Sequence, residues 1–322
     1  MNPREGKTTK IKGVFLAGNG HLRPVWALLL TTMLAMLALW GLPLALGYGI
    51  GALFSAWNLN AATVERAPSW AQVLYAASGW LLTMAGYAAL IAAGGVGCRL
   101  CHVGSAKREV RCWRGVLWAL PPLGITALLL AVDSLRLQNG LSTPQFGGTW
   151  LAMLCACLLL AIAEGVWFRR LFYGFAERTA ARRWARLIAA ALFAAHAAWR
   201  PDVTPLLALN MLLLGFLLLK PDGSVTGFVV SRFSFLLATT LLFAPAGGGA
   251  LYALLDVSED GLTGGALGVA AGGAMTAAML GILLVENRGQ LRRWHARLTA
   301  REPKPAYVSG KRNKRPHTLE RT

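Results

Sequence analysis

Long apolar stretches recur along the whole chain, and they are the feature that most restricts its fold. An apolar helix of about 20 residues crosses a bilayer core of about 30 Å, and stretches of roughly that length follow one another here. With 56% hydrophobic and 14% charged residues, the chain is too apolar for an ordinary soluble domain. The sequence therefore predicts an all-α fold, a polytopic membrane helix bundle of about eight transmembrane helices. The predicted spans are Val25–Tyr48, Trp70–Gly95, Val116–Val132, Trp150–Phe168, Leu187–Trp199, Pro205–Leu219, Ser224–Phe243 and Gly265–Val285.

The basic residues are divided unevenly between the loops, and this predicts the orientation of the chain. With the N-terminus in the cytoplasm, 28 of the 32 Lys and Arg fall on cytoplasmic segments, and Arg66, Arg136 and Arg200 fall outside. This asymmetry follows the positive-inside rule, so we expect both termini in the cytoplasm. We expect an integral protein of the bacterial cytoplasmic (inner) membrane. No cleaved signal peptide is expected, because its charged, apolar and Ala-x-Ala segments do not occur in that order.

The spans divide the chain into five predicted regions. These are a basic cytoplasmic segment (1–24), helices 1–3 (25–132), a core of helices 4–7 (150–243), helix 8 (265–286) and a basic cytoplasmic tail (287–322). The net charge of +18 is concentrated on cytoplasmic segments, where basic residues gain about 1 kcal/mol each near anionic lipid. Membrane lipid is therefore the expected partner of the tail. Nucleic acid is not expected, because neither aromatic interleaving nor a binding motif accompanies the charges.

Two series of glycines at four-residue spacing predict close helix packing. They are Gly47-x-x-x-Gly51 and Gly264-x-x-x-Gly268-x-x-x-Gly272. Small residues on one helix face let backbones approach closely in lipid. The series therefore predict contacts within the bundle or a homo-oligomer.

A cysteine-containing cytoplasmic loop offers potential metal ligands. Cys98-x-x-Cys101-His102 has the form of a c-type haem attachment site, but such attachment normally takes place outside the cytoplasmic membrane. With Cys112 the loop holds four possible zinc ligands, although the spacing matches no strong zinc pattern. Reduced, unligated cysteines are the main expectation, and a structural zinc is the alternative.

Three ionisable residues from three predicted spans lie at a similar depth. Glu164, His196 and Arg232 are about 8, 13 and 12 Å from the cytoplasmic ends of their spans, at about 1.5 Å per residue. A charged group in hydrocarbon is costly, and such residues usually face the bundle interior and mark function. We therefore expect the three side chains to converge. Arg169 lies five positions after Glu164, about 140° around an α-helix, and is expected to snorkel to the interface.

With these residues in place, residues 159–238 resemble the CPBP family, which includes the type II CAAX prenyl endopeptidases and the bacteriocin-processing Abi proteins. The first family motif is Glu-Glu-x-x-x-Arg, and this chain has Glu164-Gly165-x-x-x-Arg169. The second is Phe-x-x-x-His, and here the histidine is His196, with Leu192 in the aromatic position.

The later part of the resemblance is incomplete. The helix containing Asn210 is similar to the glycine-containing helix that follows in the family. The third motif, His-x-x-x-Asn or Asp, should fall on Arg232 and Leu236, and the chain has no histidine between His196 and His295. Both polar residues of that motif are thus missing from this chain.

The resemblance implies a glutamic-type intramembrane endopeptidase that needs no metal or other cofactor. It implies that Glu164 and His196 activate water to hydrolyse a peptide bond of a membrane-associated or prenylated substrate near the cytoplasmic face. Burial in a low-dielectric site would make the carboxylate a stronger base. Arg169, Arg232 and Asn210 are the supporting or oxyanion candidates, and loss of one oxyanion donor typically lowers the rate about a hundred- to a thousandfold.

Two other functions remain open. One is a catalytically inactive membrane scaffold or immunity-type protein, suggested by the residues at 165, 232 and 236. The other is a transporter or channel component with a polar path. The decisive geometry is that of Arg232, which is expected to point into a cavity shared by Glu164 and His196. A bidentate contact between Arg232 and Glu164 favours the scaffold, whereas an Arg232 that stands apart favours an altered oxyanion hole.

Overall fold

The computed structural model describes residues 23–60, 62–103, 112–139, 146–179, 182–197, 203–220, 223–245, 252–256, 263–264 and 268–299. Contacts divide the chain into two compact units, Met1–Leu280 and Gly281–Thr322. The first unit holds the elements below, up to the first turns of the last helix. In the second unit, the described part is the remainder of that helix.

Two long apolar helices begin the described chain, α1 at Pro24–Ala56 and α2 at Ser69–Leu100. Proline suits the start of α1, because the first helical N–H has no partner within the helix. The two helices pack against each other along their length. A Cβ at Gly86 of α2 would lie 3.4 Å from Pro43 of α1, so the glycine permits a close contact there.

The middle of the first unit is built from shorter pieces. After a 3-10 segment at Cys112–Ala119, the elements are α3 (Leu120–Ala131), α4 (Phe146–Glu164), a π-helical segment (Gly165–Phe172), α5 (Tyr173–Thr179) and α6 (Arg182–Ala197). The pieces α4, the π-helical segment and α5 follow one another without a break. A π-helical turn inside a helix is rare and is frequently found at functional sites.

The remaining α- and π-helical elements of the described chain are α7 (Pro205–Leu218), α8 (Val225–Leu236), a second π-helical segment (Leu237–Leu242) and α9 (Gly273–Thr299). A side-chain cap fixes the start of two of them. Thr204 accepts a hydrogen bond from the Leu207 N–H, and Ser224 accepts one from the Gly227 N–H. Each cap satisfies a helix donor that would otherwise have no partner.

A small sheet accompanies the helices, which the sequence did not predict. The described strands are β1 (Leu135–Asn139), β2 (Phe243–Pro245) and β3 (Tyr252–Asp256). β3 is central; it pairs antiparallel with β1 and parallel with β2. The sheet links the segment after α3 to the segment after α8.

The membrane helical class is confirmed in its general form. Five segments in the described ranges are long and apolar enough to cross a membrane: Pro24–Ala56, Ser69–Leu100, Arg114–Ala131, Thr149–Thr179 and Val225–Leu242. The fifth and sixth predicted spans fall on shorter apolar helices, Trp184–Ala197 and Pro205–Leu218. Trp199, the predicted end of the fifth span, lies outside the described residues.

The predicted start of the eighth span is wrong, as is the glycine face assigned to it. Gly264 and Gly268 have φ angles of +83° and +75°, and Gly272 is extended, so the helix begins only at Gly273. Glycine adopts positive φ without the strain that a Cβ brings. These three glycines therefore lie in backbone that is not α-helical, and their four-residue spacing does not indicate a helix face.

Candidate functional site

A carboxylate and a guanidinium meet inside the helix bundle. Arg232 of α8 donates from Nε to Oε2 of Glu164 at 2.6 Å and from Nη2 to Oε1 at 3.2 Å. The two side chains are only 6% and 2% exposed. Both carboxylate oxygens thus accept a charge-assisted hydrogen bond, in the bidentate arrangement that is among the strongest available to these groups.

Aromatic rings complete the surroundings of the guanidinium. Its central carbon lies 5.2 Å from the ring centroid of Phe193 and 5.9 Å from that of Phe235. A cation within about 6 Å of an aromatic face is attracted to it. Arg232 is therefore held by a carboxylate and by two rings.

Gly165 allows the helix that carries Arg232 to come this close. A Cβ at position 165 would lie 2.6 Å from Cγ2 of Val229, which is three residues before Arg232 on α8. A glutamate at position 165, as in the family motif, would not fit unless α8 moved away. Gly165 and Arg232, two positions at which the chain differs from the motifs it resembles, are thus linked by packing.

His196 lies near the end of α6 and completes the cluster. Its Nε2 is 4.0 Å from Oε1 of Glu164, which is too long for a hydrogen bond yet short enough for one water to contact both groups. The ring packs against Phe168, with centroids 5.5 Å apart. The side chain is 38% exposed. The structure therefore brings Glu164, His196 and Arg232 together, as their common depth predicts, and their chemical roles stay predictions.

A cavity of about 100 Å³ lies beside Glu164 and His196. Its walls come from α1, α2, the end of α4 and the π-helical segment, through side chains such as Met36, Leu90 and Trp167. Arg232 was expected to point into this cavity, and that expectation is wrong. Of the described residues, those that line the cavity do not include Arg232, because its guanidinium is turned onto Glu164.

Arg169 does not snorkel to the interface as predicted. It is 8% exposed, and its Nε donates to the Gly223 carbonyl at 2.9 Å, with a second hydrogen bond from Nη2. The prediction assumed an α-helix after Glu164, whereas the π-helical i→i+5 pattern turns the following residues differently. Arg169 thus holds the segment that leads to Ser224, where α8 is capped.

Asn210 belongs to a different junction. Its Nδ2 donates to the carbonyls of Ala270 and Gly272 at 2.9 and 3.1 Å, and its Oδ1 accepts from the Thr276 hydroxyl at 2.6 Å. Both amide hydrogens are thereby used to fix the turn before α9. An oxyanion role for Asn210 is not supported, because it would require a donor that these bonds already engage.

The cysteine loop is described in part. Cys98 and Cys101 are buried free thiols, and burial raises the pKa of the Cys101 thiol above its ordinary value. No group of three potential ligands gathers among the described residues. The side chain of Cys112 lies outside them, so a structural zinc at Cys98, Cys101, His102 and Cys112 stays a prediction.

The sequence analysis assigned no role at the site to the aromatic residues that pack around it. The Trp167 indole donates to the Leu90 carbonyl at 2.8 Å and ties the π-helical segment to α2. Phe193 meets Phe168 edge-to-face at 5.4 Å. The position of Phe193, three residues before His196, was an available signal, since residues three apart share a helix face.

Comparisons of the chain with protein-family models, with curated proteins and with solved structures found no match.

Proposed function

We propose that the chain is a CPBP-like integral membrane protein that binds a partner or ligand at the Glu164 site and does not hydrolyse it. The observation that carries this proposal is the buried bidentate pair of Arg232 with Glu164. It places an arginine on the carboxylate that would serve as the base in the family resemblance. This is the inactive scaffold or immunity-type alternative of the sequence analysis.

The chemical reason concerns the lone pairs of the carboxylate. A general base has to accept a proton from water, and it does so best when it is not already paired with a cation. Here both oxygens of Glu164 accept hydrogen bonds from one guanidinium. A buried pair of this kind is strongly destabilised when one partner loses its charge. Proton transfer to Glu164 would therefore have to break the pair.

Intramembrane proteolysis is the second candidate, and the approach of His196 to Glu164 favours it. At 4.0 Å the imidazole and Oε1 are close enough to share one water. In this alternative His196 takes the proton, while Glu164 orients the imidazole or its water. The third-motif donor is still missing from the position of Leu236.

The proposed topology has eight spans with both termini in the cytoplasm. The positive-inside distribution supports it, as do the five long apolar helices and the two shorter ones. On this topology, the Glu164 site lies in the cytoplasmic half of the bilayer. Membrane lipid and a membrane protein or peptide are the proposed partners.

A cleavage assay tests the function. Purified protein in nanodiscs is incubated with prenylated and unmodified membrane peptides, and products are measured by mass spectrometry. We expect the wild type to release no more product than Glu164→Gln or His196→Ala. Cleavage by the wild type that is lost in both variants would refute the binding function and establish the peptidase.

A further inference from the structure

The cavity beside the ion pair has one polar end, and its walls are otherwise apolar or already satisfied. Of the polar groups that line it, the Thr32 hydroxyl donates to the Leu28 carbonyl at 2.9 Å and the Trp167 indole donates to the Leu90 carbonyl. Within the described lining, this leaves Glu164 and His196 to receive a polar group. The cavity volume of about 100 Å³ is smaller than the roughly 300–1,000 Å³ of sites that enclose a whole small molecule. It therefore suits a head group and the first carbons of a chain.

The charge at this polar end is balanced without a ligand. The carboxylate of Glu164 is neutralised by Arg232 at 2.6 Å, and the guanidinium itself is outside the described cavity lining. A charged head group entering the cavity would find no unpaired counter-charge. Because an uncompensated charge in a low-dielectric site is costly, the pair excludes both anionic and cationic groups.

A neutral hydroxyl matches the groups that face the cavity. Oε1 of Glu164 can accept a hydrogen bond from it, and the imidazole of His196 can donate one to it. Those two atoms are 4.0 Å apart, so a single oxygen between them can contact both, in the position described above for a water. The apolar walls then bury the first carbons of an attached hydrocarbon chain.

We propose that the cavity binds a single-chain lipid through its neutral hydroxyl head group. Glu164 and His196 hold the hydroxyl, and charged head groups are disfavoured because Glu164 and Arg232 neutralise each other. This proposal names a ligand class for the binding function proposed above, and it rests on that function. The ligand comes from the bilayer, because the walls are formed by the helices predicted to lie in it.

Matched amphiphiles test the head-group selection. Protein in nanodiscs is titrated with hexadecanol, hexadecyl sulfate and hexadecyltrimethylammonium, which share one chain and differ in the head group, and occupancy is measured by native mass spectrometry. We expect hexadecanol to bind at least about tenfold more tightly than either ion, a difference that corresponds to about 1.4 kcal/mol. Equal affinity for all three would overturn the proposal.

Charge variants provide the sharper arm of the test. Glu164→Gln leaves the Arg232 cation unpaired, so hexadecyl sulfate should gain about tenfold or more relative to hexadecanol. The double variant Glu164→Gln with Arg232→Met removes both charges and should restore the preference for hexadecanol. If Glu164→Gln alone does not fold, the double variant still tests the proposal. A preference of the double variant for either charged amphiphile contradicts it.

Steric variants locate the binding. Ala35→Phe fills the cavity from α1 and should abolish hexadecanol binding, whereas Met33→Phe on the exposed side of the same helix should leave it unchanged. Binding that survives Ala35→Phe places the lipid elsewhere and refutes the site. Hexadecanol binding and peptide cleavage are independent results. A protein that hydrolyses peptides can still bind hexadecanol, and a protein that does not hydrolyse peptides can fail to bind it.

Discussion

Substitutions of Glu164 and Arg232 should be strongly coupled in their effects on folding stability. Their side chains are 2% and 6% exposed and joined by two hydrogen bonds. Breaking a buried pair by removing one partner costs about 3–5 kcal/mol, because the other charge is left uncompensated. Glu164→Gln and Arg232→Met should each cost an amount in that range. The double variant should cost much less than the sum, with a coupling energy of about 2–3 kcal/mol.

The coupling is measured as a double-mutant cycle by reversible denaturant unfolding in mixed micelles. A matched control replaces Arg186. This arginine donates a hydrogen bond to the Phe216 carbonyl, and its guanidinium lies against the Phe216 ring. Arg186 lies on α6 ten residues before His196, about 15 Å along the helix. Arg186→Met and Glu164→Gln should therefore be additive within about 0.5 kcal/mol. Additivity of Glu164→Gln and Arg232→Met as well would refute the paired state.

Three further predictions follow from single contacts. Gly165→Ala should lower the free energy of unfolding by about 1–3 kcal/mol, because the added methyl group overpacks against α8. Its control is Gly79→Ala, where a Cβ meets open space and should stabilise the protein by up to about 1 kcal/mol. Denaturant unfolding of both variants measures the difference. Arg169→Met should cost about 1–3 kcal/mol in the same assay, because the Gly223 carbonyl loses its charged donor, and no destabilisation would contradict that role. In a variant whose other cysteines are replaced, Cys101 should alkylate more slowly at pH 8 in the native protein than after denaturation, since burial raises the pKa of its thiol and lowers its thiolate fraction; equal rates would contradict this.

The convergence of Glu164, His196 and Arg232 was predictable from the sequence because it rests on depth alone. Counting residues from charged span ends places a side chain along the membrane normal, and ionisable groups are driven away from lipid. Depth does not determine which of two neighbours a guanidinium contacts. That choice was fixed by packing, through the space that Gly165 leaves for α8.

The fate of Arg169 and of the glycines before α9 was not predictable in the same way. Both predictions assumed regular α-helical geometry, in which five residues turn about 140° and four residues return to nearly the same face. The chain is π-helical after Glu164 and has positive φ at Gly264 and Gly268. A glycine spacing alone does not distinguish a helix face from a turn, because glycine suits both.

The small sheet was missed for a related reason. Its described strands have at most five residues, and β1 and β2 come after helices that the apolar pattern dominates. The register of β1 with β3 joins Leu135 to Asp256, more than 100 residues later. Pairing over such a separation leaves no local periodic signal in the sequence.

The ionisation of Glu164 tests the central claim most directly. Infrared difference spectra of protein with isotope-labelled glutamate, at neutral pH and with Glu164→Gln as the reference, report whether this side chain is a carboxylate or a carboxylic acid. The account predicts a carboxylate band that is lost in Glu164→Gln and altered in Arg232→Met, where the guanidinium is removed. A carboxylic acid band in the wild type that Arg232→Met leaves unchanged would contradict it.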